Sequence, residues 1–168
     1  MSARFELNLP RELWTARDSL GLGQNMLALI KMRTGKGLDA NDKPFKEYST
    51  NPLSIAKRGA RLTPKGGQPS ASGKSVFYEG GYKQYKHESR RRGGSGNSAE
   101  VDLVLSGQLM NNLVVTEATQ NHFKIGLTNQ VESYGYAVNE KREYIGLTND
   151  EVDILVESIR FDILEKLK

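Results

Sequence analysis

Along the first nine residues apolar and polar side chains alternate, Phe5, Leu7 and Leu9 against Arg4, Glu6 and Asn8. A period of two predicts a short strand with one buried face. Pro10 ends it. From Arg11 to about Thr34 the apolar positions Leu13, Ala16, Leu20, Gly23, Leu27 and Ile30 recur at spacings of three and four, which predicts a helix with one apolar stripe. Gly21 and Gly23 each cost about 1 kcal/mol relative to Ala inside a helix, so a break or a close helix contact is expected near them. Gly35 and Gly37 stop the helix.

Regular patterning returns after Glu100. Val101, Leu103 and Leu105 alternate, Ser106 can cap a short helix running through Leu113, and Phe123, Ile125 and Leu127 alternate again, so two strands are expected to flank a short helix. A polar segment with Tyr134 and Tyr136 follows. Thr148, Asn149, Asp150 and Glu151 then form a capping box ahead of Val152, Leu155, Val156, Ile159, Ile163 and Leu167, the clearest helix in the chain. Its closing Lys166 and Lys168 suit the negative end of the helix dipole. The expected fold is α+β: a small, mostly antiparallel sheet packed with N-terminal and C-terminal helices. No internal repeat is present.

Between these regions the chain changes in kind. Residues 35–100 hold 11 of the 17 glycines and every proline except Pro10. The expectation is a single domain, 1–168, with a basic Gly/Pro-rich loop or arm inserted at 50–99 and no core of its own. One helix is expected inside it, from about Tyr82 to Arg92, between glycine pairs. A loop of that length is ordinarily functional, or orders only on a partner.

Composition narrows the chemistry. The chain has 168 residues and no cysteine, which removes disulfide scaffolds, cysteine-based zinc sites, thiol nucleophiles and iron-sulfur centres together. Its N-terminus lacks the apolar run of a signal peptide or a membrane span, as expected of a soluble, intracellular-type chain without membrane contact. Gly67 to Ser75 resembles a phosphate-binding loop, but five residues rather than four separate Gly67 from Gly73, and no apolar strand precedes it. Asp39, Asn41 and Asp42 suggest a calcium loop until Lys43 and Pro44 fill positions that need a ligand and a glycine; a turn is expected instead. His87 and His122 are the only histidines, and no nucleophile constellation can be tied to either. No catalytic residue, metal or cofactor is expected, and the chain reads as no enzyme.

Charge is the feature that stands out. Residues 57–92 carry ten basic side chains against Glu79 and Glu88, a net of +8, while the remainder has 14 basic and 18 acidic residues, a net of −4. A chain so divided meets a polyanion or the opposite face of its own copy. Lys83, Lys86, Arg90, Arg91 and Arg92 are the candidate contacts to nucleic acid or to an acidic partner. Lys57, Arg58, Arg61, Lys65 and Lys74 form the rest of an interaction loop. Tyr78, Tyr82 and Tyr85, interleaved with the cations, are candidates for stacking on bases. A stand-alone nucleic-acid-binding protein using 57–92 is therefore one reading, with steep salt dependence as its mark.

Three blocks carry a further resemblance: residues 37–49 (GLDANDKPFKEYS) after the first helix, 101–113 (VDLVLSGQLMNNL) after the basic stretch, and 139–148 (NEKREYIGLT) running into the last helix. Their order and spacing resemble the neck and tail-completion proteins of tailed bacteriophages, the virion-morphogenesis group that joins the DNA-filled head to the tail. The resemblance implies a structural subunit without catalytic residues, assembled as a homo-oligomeric ring around the DNA channel. It implies partners in the portal or connector adaptor and in the tail terminator or tail tube, and a place in the virion neck after assembly in the host cytoplasm. The basic segment would then order against neighbouring subunits, facing either channel DNA, in nonspecific contact, or an acidic connector surface.

Overall fold

The computed structural model describes residues 3–10, 13–60, 63–89 and 101–168. It is an α+β protein whose elements divide into two compact units, one made of Met1–Phe45 with Leu109–Lys168, the other of Lys46–Gln108.

The first unit is built on an antiparallel sheet of β1 (Ala3–Glu6), β5 (Leu113–Ala118) and β6 (His122–Leu127), in the order β1-β6-β5. Phe5 sits opposite Phe123 and their rings stack with centroids 4.9 Å apart. Helix α1 (Ala16–Gly35) lies on this sheet, burying Leu22, Met26 and Ile30 in a core that also holds Trp14, Leu113 and Ile125. It begins five residues later than the apolar spacing predicts, because Thr15 and Asp18 form a capping box that fixes the first turn there. The helix does not break at its glycines. A Cβ on Gly23 would stand 3.1 Å from the Phe123 ring, so at Gly23 the helix backbone lies close against the sheet.

The predicted strand at Val101 to Leu105 is absent. Val101, Asp102 and Leu103 are buried in succession and Leu103 has φ +53°, so this stretch is irregular backbone held from both sides rather than a pleat with two faces. The short helix after it, α3, covers Gln108–Asn111, and Leu113 already belongs to β5, the strand that pairs with β6 in a hairpin. The polar segment with Tyr134 and Tyr136 is itself helical, α4 (Glu132–Lys141), entered through a 3-10 turn at Asn129–Val131. The capping box predicted at Thr148 and Glu151 is in place and starts α5 (Asn149–Lys166).

The second unit corrects the expectation of a loop without a core. Strands β2 (Leu53–Ala56), β3 (Gln68–Pro69) and β4 (Ser75–Tyr78) form an antiparallel sheet in the order β2-β4-β3. Helix α2 (Gly81–Ser89) adds Tyr85 to Val76 and Tyr78, and Ile55, Tyr82 and Leu105 pack around that cluster. Glycine makes the turn into α2 possible: Gly81 has φ +66°, and a Cβ there would lie 2.4 Å from the Asn51 carbonyl oxygen. The expected continuation of α2 to Arg92 falls outside the described residues.

Candidate functional site

The basic segment is only partly an exposed surface. On α2, Tyr82, Tyr85, Lys86 and Ser89 follow the spacing i, i+3, i+4, i+7, which places them on one face, and that face turns inward. Tyr78 and Tyr85 are buried with ring centroids 5.3 Å apart, edge to face, and Tyr82 bridges Tyr85 at 5.9 Å to Tyr48 at 5.2 Å. The Tyr78 hydroxyl donates to the Lys65 carbonyl at 2.7 Å. These three tyrosines, read from the sequence as platforms for bases, are instead the packing of the second unit.

Lys86 is corrected in the same way. Its ammonium is buried, ion-paired with the buried carboxylate of Asp102, and donates to the Tyr48 hydroxyl at 3.0 Å. A buried charge must be matched, and this one is matched inside the unit. Asp102 is committed too, since its Oδ1 accepts the backbone N–H of Val104 at 3.0 Å. Lys83 lies on the outer side of α2 and pairs with Glu47 at 2.9 Å.

Four of the predicted contacts remain exposed: Lys57, Arg58, Lys65 and Lys74. Lys57 and Lys74 stand at the end of the β2–β4 pair, where the Lys57 N–H donates to the Lys74 carbonyl at 2.9 Å. With Arg58 next in sequence, three cations gather at one end of the sheet, none in an ion pair among the described residues. The open face of the same sheet carries Phe77, exposed between Ser54 and Gln68. Arg61, Arg90, Arg91 and Arg92 lie outside the described residues.

In the first unit the structure joins two segments far apart in sequence. Residues 37–45 form a tight loop closed by the Leu38–Pro44 bridge, with the Asp39 carboxylate accepting the N–H groups of Asn41 at 2.8 Å and Lys43 at 2.9 Å. The predicted turn is thus held by the oxygens that suggested a calcium loop. Ala40 donates its N–H to the Glu143 carbonyl at 2.7 Å. Below this contact Arg33 is buried, donating from Nη2 to the carbonyls of Tyr144 and Gly146, each at 3.0 Å, and pairing through Nη1 with Glu151. Glu151 Oε2 also accepts the Thr148 N–H at 2.9 Å. One carboxylate therefore caps α5 and neutralises Arg33. Burial raises the Tyr144 phenol well above its ordinary range, with Tyr134 and Tyr136 adding to the effect.

Helix α5 shows a surface the spacing argument missed. Of its side chains only Glu151 and Leu155 are fully buried, and Val152, Ile154, Val156, Phe161 and Leu164 are exposed, Phe161 at 64%. The sequence does hold the signal. Ile154, Phe161 and Leu164 lie off the stripe of Leu155, Ile159 and Ile163, and that is more apolar positions than one buried face accommodates. Among the described residues no helix is long and apolar enough to cross a membrane. In comparisons with protein-family models, with curated proteins and with solved structures, nothing matches this chain.

Proposed function

We propose that this chain is a structural subunit of the neck of a tailed bacteriophage, one member of a homo-oligomeric ring around the DNA channel that joins the portal or connector to the tail. The observation that carries the reading is the adjacency of two of the three resembling blocks. Residues 37–49 and 139–148 are separated by about 100 residues in sequence. They meet through the Ala40–Glu143 backbone bond, with Arg33 bonded to Tyr144 and Gly146 beneath it. Two blocks that jointly build one corner of the fold constrain each other, which supports reading them as one signature. The surfaces of the chain also suit assembly, since an acidic, apolar helix and a basic unit offer unlike faces to a neighbour.

The test is deletion of the reading frame from the genome that carries it, followed by electron microscopy of the lysate. Filled heads and separate tails are expected, with joining restored when the chain is supplied in trans. Normal tailed particles would reject the reading.

The second reading, a nucleic-acid-binding protein working alone, is favoured by the exposed Lys57, Arg58, Lys65 and Lys74. It has lost Lys86, Tyr78 and Tyr85 to the interior. It requires the isolated chain to bind short duplex or single-stranded DNA, with affinity falling steeply between low and moderate salt. The neck reading expects weak binding, because individual DNA contacts gain strength only when a ring presents many together.

A further inference from the structure

We propose that the outer face of α5 is a docking site for a second copy of this chain, and that its occupant is the basic end of the copy's Lys46–Gln108 unit. The inference names the faces of the self-association contained in the neck reading and rests on it.

The receiving face follows from the helix itself. Ile154, Glu157, Phe161 and Leu164 lie at i, i+3, i+7 and i+10, a single stripe on the side of α5 away from Leu155. Ile154 is 48% exposed, Phe161 64% and Leu164 52%. Three large apolar side chains left open along one stripe are the mark of a contact surface rather than of a solvated helix face. Beside them runs a shallow groove of about 640 Å³ against Asn25 of α1, with Ile154 and Phe161 on its walls and the carboxylates of Asp153, Glu157 and Asp162 around it. The groove is lined by both apolar and acidic side chains, so it fits an apolar side chain carried among cations.

The same chain supplies that chemistry. Helix α5 holds six acidic and two basic residues, whereas residues 46–108 hold eleven basic and five acidic ones. At the end of the β2–β4 pair Lys57, Arg58 and Lys74 are exposed and make no ion pair among the described residues, and Phe77 is exposed on the adjoining sheet face. Acid meets base and Phe161 meets Phe77, a pairing of unlike surfaces that leaves one free face of each kind on every joined pair. Such a contact is heterologous: it propagates from copy to copy and closes into a ring where the rotation allows.

The experiment is sedimentation velocity on the full chain across a concentration series, with two charge-reversed variants. One carries Lys57→Glu, Arg58→Glu and Lys74→Glu; the other carries Asp153→Lys, Glu157→Lys and Asp162→Lys. Wild type is expected to associate with rising concentration, and each variant alone to be monomeric, weakened at least about tenfold. An equimolar mixture of the two is expected to associate again, because each reversed face then meets a reversed partner. That recovery also shows that both variants fold. Phe161→Asp is expected to abolish association. If wild type associates and neither the reversals nor Phe161→Asp alter it, the faces are wrongly assigned while self-assembly stands. If wild type stays monomeric throughout, self-assembly through this face falls, and the deletion phenotype decides separately whether the chain still acts in the neck.

Discussion

The two units solve the same problem with different materials. Each has a three-stranded antiparallel sheet, a helix packed against it and a buried ion pair, Arg33–Glu151 in the first and Lys86–Asp102 in the second. The first is closed by Trp14, Met26, Ile30 and Phe123 and by two helices with full capping boxes. The second has little aliphatic material. It relies on Tyr78, Tyr82 and Tyr85 meeting edge to face and on hydroxyls bonded to the backbone. A basic, glycine-rich segment can therefore close a core when its aromatics fall at helical spacing. Cations on the same helix face are then drawn inside and matched there.

The largest test of this comparison is to break each buried pair in turn. Glu151→Ala leaves Arg33 buried without its counter-charge, and Lys86→Ala does the same to Asp102. Each is expected to cost about 3–5 kcal/mol. Hydrogen exchange resolved along the chain should show Glu151→Ala loosening the first unit and Lys86→Ala the second. A uniform loss of protection across both units in both variants would mean that they unfold as one.

Glycine offers the next test. Gly81→Ala forces a positive φ on alanine and drives a Cβ toward the Asn51 carbonyl, so a loss of about 1–3 kcal/mol is expected. Gly23→Ala meets side-chain atoms only, of the Phe123 ring and Val115 at 3.1–3.3 Å, and the helix gain of about 1 kcal/mol from alanine opposes that crowding. Denaturant midpoints should therefore move further for Gly81→Ala. The reverse order would place the tighter constraint in the first unit.

Thr148→Ala removes the side-chain oxygen that accepts the Glu151 N–H and is expected to cost about 1 kcal/mol, lowering the thermal midpoint with Tyr78 and Tyr85 protected as before. The smallest effect is at Asp18. Burial raises its pKa, but hydrogen bonds from Lys166 and Thr15 outweigh burial and hold the carboxyl below its ordinary value of 3.8. A carboxylate whose folded pKa is depressed contributes stability above its unfolded pKa and loses it as pH falls through the folded one. Acid titration of Asp18→Asn should lack that component, a difference under about 1 kcal/mol for a pair open to solvent. An acid limb unchanged by Asp18→Asn would mean that the link from α1 to the end of α5 adds nothing.

Where a signal was local, the chain could be read directly. The strand at Phe5, the β6 alternation and the Thr148 box each depend on residues within one or two turns of one another, whereas the predicted α1 stripe is displaced: Ala16 and Leu20 are exposed, and Leu22 and Met26 join Gly23 and Ile30 on the buried face. The alternation at Val101 to Leu105 does not give a strand because Val101, Asp102 and Leu103 are buried in succession, and alternation marks a strand only where one face meets water. Strand β5 was hidden by Thr116 and Glu117, exposed on an edge strand where the core asks nothing of them. Tyr78, Tyr82 and Tyr85 stand among cations in the sequence, and only the fold shows that α2 turns Tyr85 inward onto Tyr78.

Sequence alone determined the α+β class, the Thr148 cap of the last helix and the separation of charge, since these follow from composition and short-range geometry. Only the tertiary structure decided which charges are available. Lys86 and Arg33 are spent on Asp102 and Glu151, 16 and 118 residues away, while Lys57, Arg58 and Lys74 are left to solvent. A charge's worth to a partner depends on its desolvation and its neighbours, and in a folded chain both are set by contacts that sequence distance does not reveal.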